Sequence, residues 1–579
     1  MFHCFRHIFT YSYFNNKHYV YANYGWDDDE IDQFEMSPDS GYVQKCGTDE
    51  AFLRLYELSS KAASSAVYEE IKEMLDIDEY INYMAMEFYL GSTDWPQNNI
   101  KGFRHRDNGK FRFVSFDLDF AFNLTNSFQA FDGKKTYTFD EIYDTGTRLT
   151  DEIKMVTIFD NLLLNAEFRK QFRDVFCIMG GSVFETNRAT AVIDSLFKRV
   201  NPMMQLEGIS INSATDNMKW SLNGRASQMM KSIRNYQPMQ LSNASMPQVR
   251  LACNVAGARL SVNDTYIPTN SFDGYLFTPS TISVTTPVGY SFKGWKNRNN
   301  GSYYSTKESF SLTATDLDLI AEFEAMSPED RENKGITPIR INEVSASNDI
   351  FVNDYFKKSD WVELYNTTAQ DIDIEGMFLS DDADKPYKYM ITGNQSGAST
   401  IIPANGHLLI WCDKQQPVSQ LHASFKIDGD GGYILLSAAD KSWTDTFSYP
   451  AHDGFTSTGR FPDGADNTYV MNRPTVGTAN RMSSYHTAYE NSNPMSIGHV
   501  TRENAHISMR PQYGRLEIKG EGSIRVAVCR LSGQTVMTAT VVASDGKAYV
   551  STSSLAAGVY IAKATDSQGN SCICKFAIE

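Results

Sequence analysis

The chain of 579 residues has no apolar run approaching the roughly 18–20 residues that a membrane-spanning helix needs. Positive charge is also scarce. Lys and Arg total 53 against 70 Asp and Glu, a net charge of −17, so the basic footprint of a general nucleic-acid binder is missing. The eight cysteines are scattered with no C-x-x-C pair, which argues against structural zinc. Cys572 and Cys574 lie two apart on one strand face, where a disulfide would strain, so they read as buried free thiols. Residues 1–14 (MFHCFRHIFTYSYF) lack a secretory leader's unbroken apolar core, because Arg and His interrupt it. Before Asp94 the glycines are only Gly25, Gly41, Gly47 and Gly91, too dispersed for a phosphate-cradling loop. Aromatic residues, by contrast, are plentiful at 13%. The length predicts several domains.

The residues with most chemistry are Asp94-Trp-Pro-Gln-Asn98-Asn99, followed by Phe116-Asp117-Leu-Asp119-Phe120. Phosphoryl transfer asks a protein for a carboxylate that orients the attacking hydroxyl and for oxygen ligands that hold Mg²⁺ on the phosphates. In protein kinases four residues separate the base Asp from the metal Asn, with a second metal Asp further on. Asp94, Asn99 and Asp117 reproduce that order and the first spacing. Residues 68–89 carry apolar positions at helical spacing and Gly91 ends them, which places Asp94 on a loop after a buried helix. The Asp107-Asn108-Gly109 turn predicts a hairpin whose second strand runs through Phe120. Asp117 and Asp119 would then share one face, a pair that calls for a hard cation.

YINYMAMEFYLGSTDWPQNNIKGFRH and FRFVSFDLDFAF, with the helical stretches TIFDNLLLNAEFRKQFRDVF and ATAVIDSLFKRVNPMM, resemble the CotH-type (spore-coat) secreted protein kinases. The resemblance implies an atypical kinase that uses ATP with Mg²⁺ or Mn²⁺ to phosphorylate secreted proteins. It makes Asp94 the catalytic carboxylate and Asn99 a metal ligand. Asp117 becomes the principal metal carboxylate and Asp119 its helper, with Asn98 and Asn99 at the nucleotide. A kinase also needs an upstream small lobe with a lysine on the phosphates and its Glu partner. Lys17, Lys45, Lys61 and Lys72 are present, but none sits in a recognisable nucleotide-binding strand. The chain therefore reads as truncated, with impaired activity expected.

After about Met246 the pattern turns to strands. Gly289-Tyr290-x-Phe292-x-Gly294-Trp295 resembles the small β-repeats of bacterial surface proteins, and its alternating aromatics predict a sheet core. Asn342-Glu343, Asp360-Trp361-x-Glu363-Leu364-Tyr365-Asn366 and Arg460-x-Pro462-Asp463-Gly464 resemble the lamin-tail family. That likeness implies an immunoglobulin-like sandwich with no nucleophile beside a base. Acidic turns at Asp381, Asp382 and Asp384, and at Asp428 and Asp430, are either solvated or Ca²⁺ ligands. Leu555-x-x-Gly558-x-Tyr560 with Lys575-Phe576-x-Ile578 resembles the C-terminal sorting domains of type IX secretion, a system of the Bacteroidetes. It implies export to the cell surface by that machinery.

The expected fold class is multidomain α+β. A mainly helical kinase-like C-lobe precedes three all-β modules: a small β-repeat, an immunoglobulin-like lamin-tail sandwich and a C-terminal sorting β-sandwich. Residues 1–18 form a leader outside the family and 19–246 the CotH kinase-like domain without its small lobe. Then follow the β-repeat (247–326), a linker (327–335), the lamin-tail domain (336–482), a linker (483–506) and the sorting domain (507–579). Two functions are open: a surface or secreted kinase acting on protein substrates, or a non-catalytic scaffold that binds extracellular partners.

Overall fold

In the computed structural model, the residues described are 17–24, 26–37, 41–91, 95, 98–107, 109–123, 155–263, 265–393, 397–451, 453–471, 474–480, 489–491, 507–512, 515–530, 535–544, 546–552, 555, 558–567 and 571–578. They fall into two units, Met1–Ser492 and Asn493–Glu579. Helices dominate the N-terminal part and sheets the rest, a multidomain α+β architecture.

Helix α1 (Lys17–Tyr24) precedes strands β1 (Ile31–Ser37) and β2 (Gly41–Cys46). Helices α2 (Glu50–Ser59), α3 (Ser65–Met74) and α4 (Ile77–Leu90) follow, then strands β3 (Ile100–His105) and β4 (Arg112–Phe113). The four strands form one sheet in the order β2-β1-β3-β4. The apolar spacing predicted one helix over 68–89, yet there are two. Asp76 caps the second by accepting from the Glu79 amide, and its own amide donates to the Phe111 carbonyl at 3.0 Å. The β3–β4 hairpin thus docks where the helix breaks. Gly91 ends α4 at φ 65°, a conformation that costs glycine least.

Among the described residues, five further α-helices follow in this body: α5 (Met155–Leu162), α6 (Ala166–Ile178), α7 (Thr186–Leu206), α8 (Asn212–Leu222) and α9 (Arg225–Asn235). A π-helical turn, Met179–Val183, extends α6. It touches strand Ser271–Tyr275 so closely that a Cβ on Gly274 would lie 2.7 Å from the Gly181 Cα. Residues 247–326 build two sheets, one of five strands and one of four. Their buried side chains, including Val249, Phe272 and Trp295, join a single apolar core with Phe88, Phe172 and Met230 of the helical body. The composition change near Met246 is therefore a change of secondary structure within one core. Trp295 is fully buried, as the alternating aromatics predicted.

Residues 336–482 hold a four-stranded sheet and six strands of a seven-stranded one, with Ile339–Ser345 and Trp361–Asn366 near its centre; the seventh strand, Tyr489–Asn491, comes from the expected linker and pairs with Thr468–Met471 at the edge. Ile341, Leu364, Ile434 and Phe447 lie in the core between them. The acidic turns are self-capped: Asp382 and Asp428 accept from the amides of Asp384 and Asp430, and Asp381 pairs with Lys388. The second unit has a three-stranded and a four-stranded sheet around Leu516, Val526, Val550 and Tyr560. Its last strand, Ser571–Ile578, pairs antiparallel with Gly558–Asp566, bringing Tyr560 opposite Phe576 and Ile561 opposite Lys575. The side chains of Cys572 and Cys574 are outside the described set; among the described residues Cys46, Cys177, Cys253 and Cys412 are free thiols. No described helix is long and apolar enough to cross a membrane.

Candidate active site

Helix α4 holds the site from behind. Its Tyr83 hydroxyl accepts from the Trp95 indole at 2.8 Å, and Trp95 packs edge-on against Phe88 at 5.2 Å. This buried tryptophan fastens the loop after Gly91 onto the helix. Beyond it, Asn98 is half-buried and Asn99 is 6% exposed, with Asn99 at φ 59°. Across the hairpin, Asp117 also adopts a left-handed φ, 55°. The Asn99 side-chain amide donates to the Asp117 carbonyl at 3.4 Å. Two adjoining residues in a region that L-residues visit rarely suggest a constrained site, and Asn and Asp are the types that bear it best.

A ladder of carboxyls on α4 sets the approach of residues 112–115. Asp76 accepts from the Arg112 guanidinium at 2.9 Å, Glu79 from the Phe113 amide at 2.9 Å and Glu87 from the Ser115 hydroxyl at 3.0 Å. Burial pushes Glu87 up to about 8, against the hydrogen bond from Ser115, so it is largely neutral near pH 7. The Lys101 ammonium, two residues after Asn99, lies 4.4 Å from the Phe116 ring centre and 3.7 Å from Glu35. Lys45 reaches the other Glu35 oxygen at 3.1 Å. Two lysines on strands therefore share one glutamate beside Asn99 and Asp117.

The sequence-predicted residues have different fates. Asn99 and Asp117 come together, with Asn98 next to them. Asp94 lies outside the described residues, and so does the Asp119 side chain. The expected strand through Phe120 is corrected: β4 stops at Phe113, and Leu118–Asn123 forms 3₁₀ turns kinked at Ala121 and Phe122. The left-handed turn at Asp117 breaks the alternation, so the shared-face argument for Asp117 and Asp119 does not hold. These turns pack on α8. Lys101, Glu35 and Glu87 were not anticipated. Their signal was faint: Lys101 follows Asn99 by two in the hairpin, and Glu87 is the one acid amid α4's apolar face.

Asn99 and Asp117 carry the kind of oxygen donors that a hard divalent cation would take, with Asn98 beside them; Mg²⁺ commonly takes one or two carboxylates and completes its shell with water and phosphate. Among the described residues no three His, Cys, Asp or Glu side chains cluster as a closed metal site.

The second acidic constellation is of another kind. Asn342, Glu343, Glu363, Arg460 and Asp463 are all buried. Glu343 accepts from Ser457 at 2.5 Å and from the Thr475 hydroxyl at 2.8 Å, while Glu363 accepts from the Gly477 amide. Asp463 accepts from Asn342 and from the Asn480 amide and pairs with Arg259 at 3.1 Å. Arg460 pairs with Asp445 and donates to the Ile341 carbonyl. Burial raises both Glu343 and Glu363, and their mutual repulsion raises Glu363 further. Burial would also raise Asp463, but His407 and Arg259 outweigh it and hold that carboxyl below its usual range. Most of these bonds run between strands and the segment 474–480 of the same domain.

Comparison with known families agrees with this division. Residues 10–236 match the CotH kinase protein family, 343–451 the Lamin Tail Domain and 510–579 the secretion system C-terminal sorting domain. The chain thus carries a CotH kinase-family segment, a lamin-tail domain and a type IX sorting domain, in that order. The sorting domain points to a secreted or cell-surface protein. No curated protein matches the chain. Two solved structures show distant similarity. One is a DUF4876 family protein from Bacteroides thetaiotaomicron VPI-5482, at 8% identity, covering 40% of this chain and 68% of its own, with a TM-score of 0.14. The other is a biofilm associated protein BSP domain, at 11% identity, 54% and 64% coverage and a TM-score of 0.11. At those scores neither bears on the fold.

Proposed function

We propose that the CotH segment is an atypical protein kinase, exported to the cell surface, that transfers phosphate from ATP to protein substrates. The observation that carries this reading is the contact between Asn99 and Asp117 within a CotH kinase match. In this reading Asn99 and Asp117 hold Mg²⁺ or Mn²⁺, with Asn98 at the nucleotide and Asp119 assisting. Asp94 orients the acceptor hydroxyl. Lys101, steered by Glu35, neutralises phosphate charge. The bound ion supplies charge neutralisation on the phosphate oxygens. The neutral Glu87 carboxyl and Ser115 fix the backbone that leads into Asp117.

The test is calorimetry of ATP with Mn²⁺ on the whole chain beside Asp117→Ala. Saturable binding that disappears in the variant supports the reading, and transfer of labelled phosphate to a generic protein acceptor completes it. Absence of binding in both proteins would rule it out. A second reading is a non-catalytic surface scaffold, in which the site is a remnant and the β modules present binding surfaces. It is favoured by the lack of a glycine-rich phosphate loop around β1 and β2. Export depends on the last two strands in either case. Removing 555–579 from a leader-equipped protein should trap it in the periplasm, and normal surface display of that deletion would count against sorting.

A further inference from the structure

One loop of the lamin-tail domain spends its buried polar groups on holding an aromatic ring in water. Phe356 is 91% exposed and sits at φ 58°, a conformation bulky residues seldom adopt. It persists because the loop around it is over-determined. Asn353, itself buried, accepts from the amides of Tyr355 and Lys357 and donates to Asp413 at 2.9 Å. The Asp354 carboxylate accepts from the Ser419 amide and hydroxyl and from the Gln420 amide. Its other oxygen meets the His422 ring at 2.8 Å, and the opposite His422 nitrogen faces Asp413 at 2.9 Å. Tyr355 packs edge-on over that buried histidine at 5.3 Å and donates to the Gln416 carbonyl. Such bracing leaves Phe356 little freedom to fold back onto the domain.

The ring's surroundings indicate what it meets. Val352 is 51% exposed, and Val418, next to Ser419 in the partner segment, is 44% exposed. Lys357, Lys358 and Lys414 are exposed and form no ion pair among the described residues. The Asp354 charge is turned inward onto its four donors, so the loop's outer face is positive in a chain of net charge −17. We propose that this loop is a membrane-contact tip: Phe356 enters the interface of a bilayer while the lysines meet anionic lipid headgroups. An aromatic residue suits that boundary, and each lysine near an anionic leaflet adds attraction that acts within a Debye length of about 8 Å. A stable protein interface instead requires about 800 Å² from each partner with several anchors, and one protruding ring on a short loop does not offer that. The sorting domain brings the chain to where such a surface exists. The inference does not depend on kinase activity.

Co-sedimentation of the whole protein with phosphatidylcholine vesicles, with and without phosphatidylglycerol, tests it. Binding is expected only with the anionic lipid. Phe356→Ala should weaken it about tenfold, and Phe356→Leu should restore most of it. Lys357→Ala with Lys358→Ala should abolish the preference for phosphatidylglycerol. Because Phe356 touches little of its own domain, thermal midpoints of these variants should match the parent. No binding to either vesicle, or equal binding by Phe356→Ala, would overturn the proposal. So would a self-association that Phe356→Ala abolishes in sedimentation velocity, since the occupant would then be a second copy.

Discussion

Two constellations of acids and amides in this chain are built from the same residue types and come to opposite ends. Asn99 and Asp117 lie on loop backbone at left-handed φ, joined by a hydrogen bond from the Asn99 amide to the Asp117 carbonyl, with lysines nearby. Asn342, Glu343, Glu363 and Asp463 lie on or beside central strands, buried, with arginines, hydroxyls and amides closing on them. The lesson is that an acidic motif is informative about chemistry only once its partners are counted. In the lamin-tail domain the motif's bonds run into its own fold and tie the sheet to its closing segment 474–480. In the kinase-like body Asp76, Glu79 and Glu87 play that structural part, holding residues 112–115 against α4.

That contrast can be broken in order of effect. Arg460→Ala strips a buried partner from Asp445 and should destabilise the lamin-tail body by about 3–5 kcal/mol, read as a lower thermal midpoint, without changing nucleotide binding. Asp117→Ala should do the reverse. It should lose more ATP·Mn²⁺ affinity than the roughly 10–100-fold that an outer-shell defect costs, with the midpoint unmoved. If each variant disturbs both properties, the two sites are not separable.

A pH series sharpens the comparison. Glu343 and Glu363 have folded-state pKa values raised above their unfolded ones, so the folded state holds the proton more tightly. Their favourable contribution is complete below the unfolded value near 4.5 and declines as pH rises through the raised ones. Glu363→Gln keeps an acceptor for Gly477 but cannot ionise. It should therefore flatten the loss of thermal stability as pH rises above the unfolded value, read from the pH slope of the thermal midpoint, and an unchanged slope would place the titration elsewhere. Smallest, Trp95→Phe removes the bond to Tyr83. It should cost about 1 kcal/mol of stability and a few-fold of nucleotide affinity through a looser loop, measured by calorimetry.

Much of this was readable beforehand because it is local. The order of the three families rests on short motifs, and the expected hairpin is present in that β3 and β4 pair antiparallel. The break at Asp76 was also within reach, since Asp76-x-x-Glu79 has the shape of a capping box. What escaped needed three dimensions. Alternation in Phe-Asp-Leu-Asp-Phe looks like a strand until a left-handed Asp117 diverts it. Nothing in the order of residues tells that Lys45 and Lys101 converge on Glu35. Nor does a change of composition near Met246 reveal that Phe272 seats itself against Gly181. Burial likewise distinguishes Glu343 from Asp117, and that depends on the neighbours each strand acquires.

The shared core across that boundary has a bearing on heredity. Helices 155–235 and strands 248–325 would have to travel through genomes as one cassette, because a recombination point near Met246 would expose Phe172 and Phe272 together. The stretch after Ala325, where Pro328–Asn333 forms a short helix with no buried residue, divides no apolar core, but a junction there would have to keep Arg259 on Asp463 and Arg331 on Thr367.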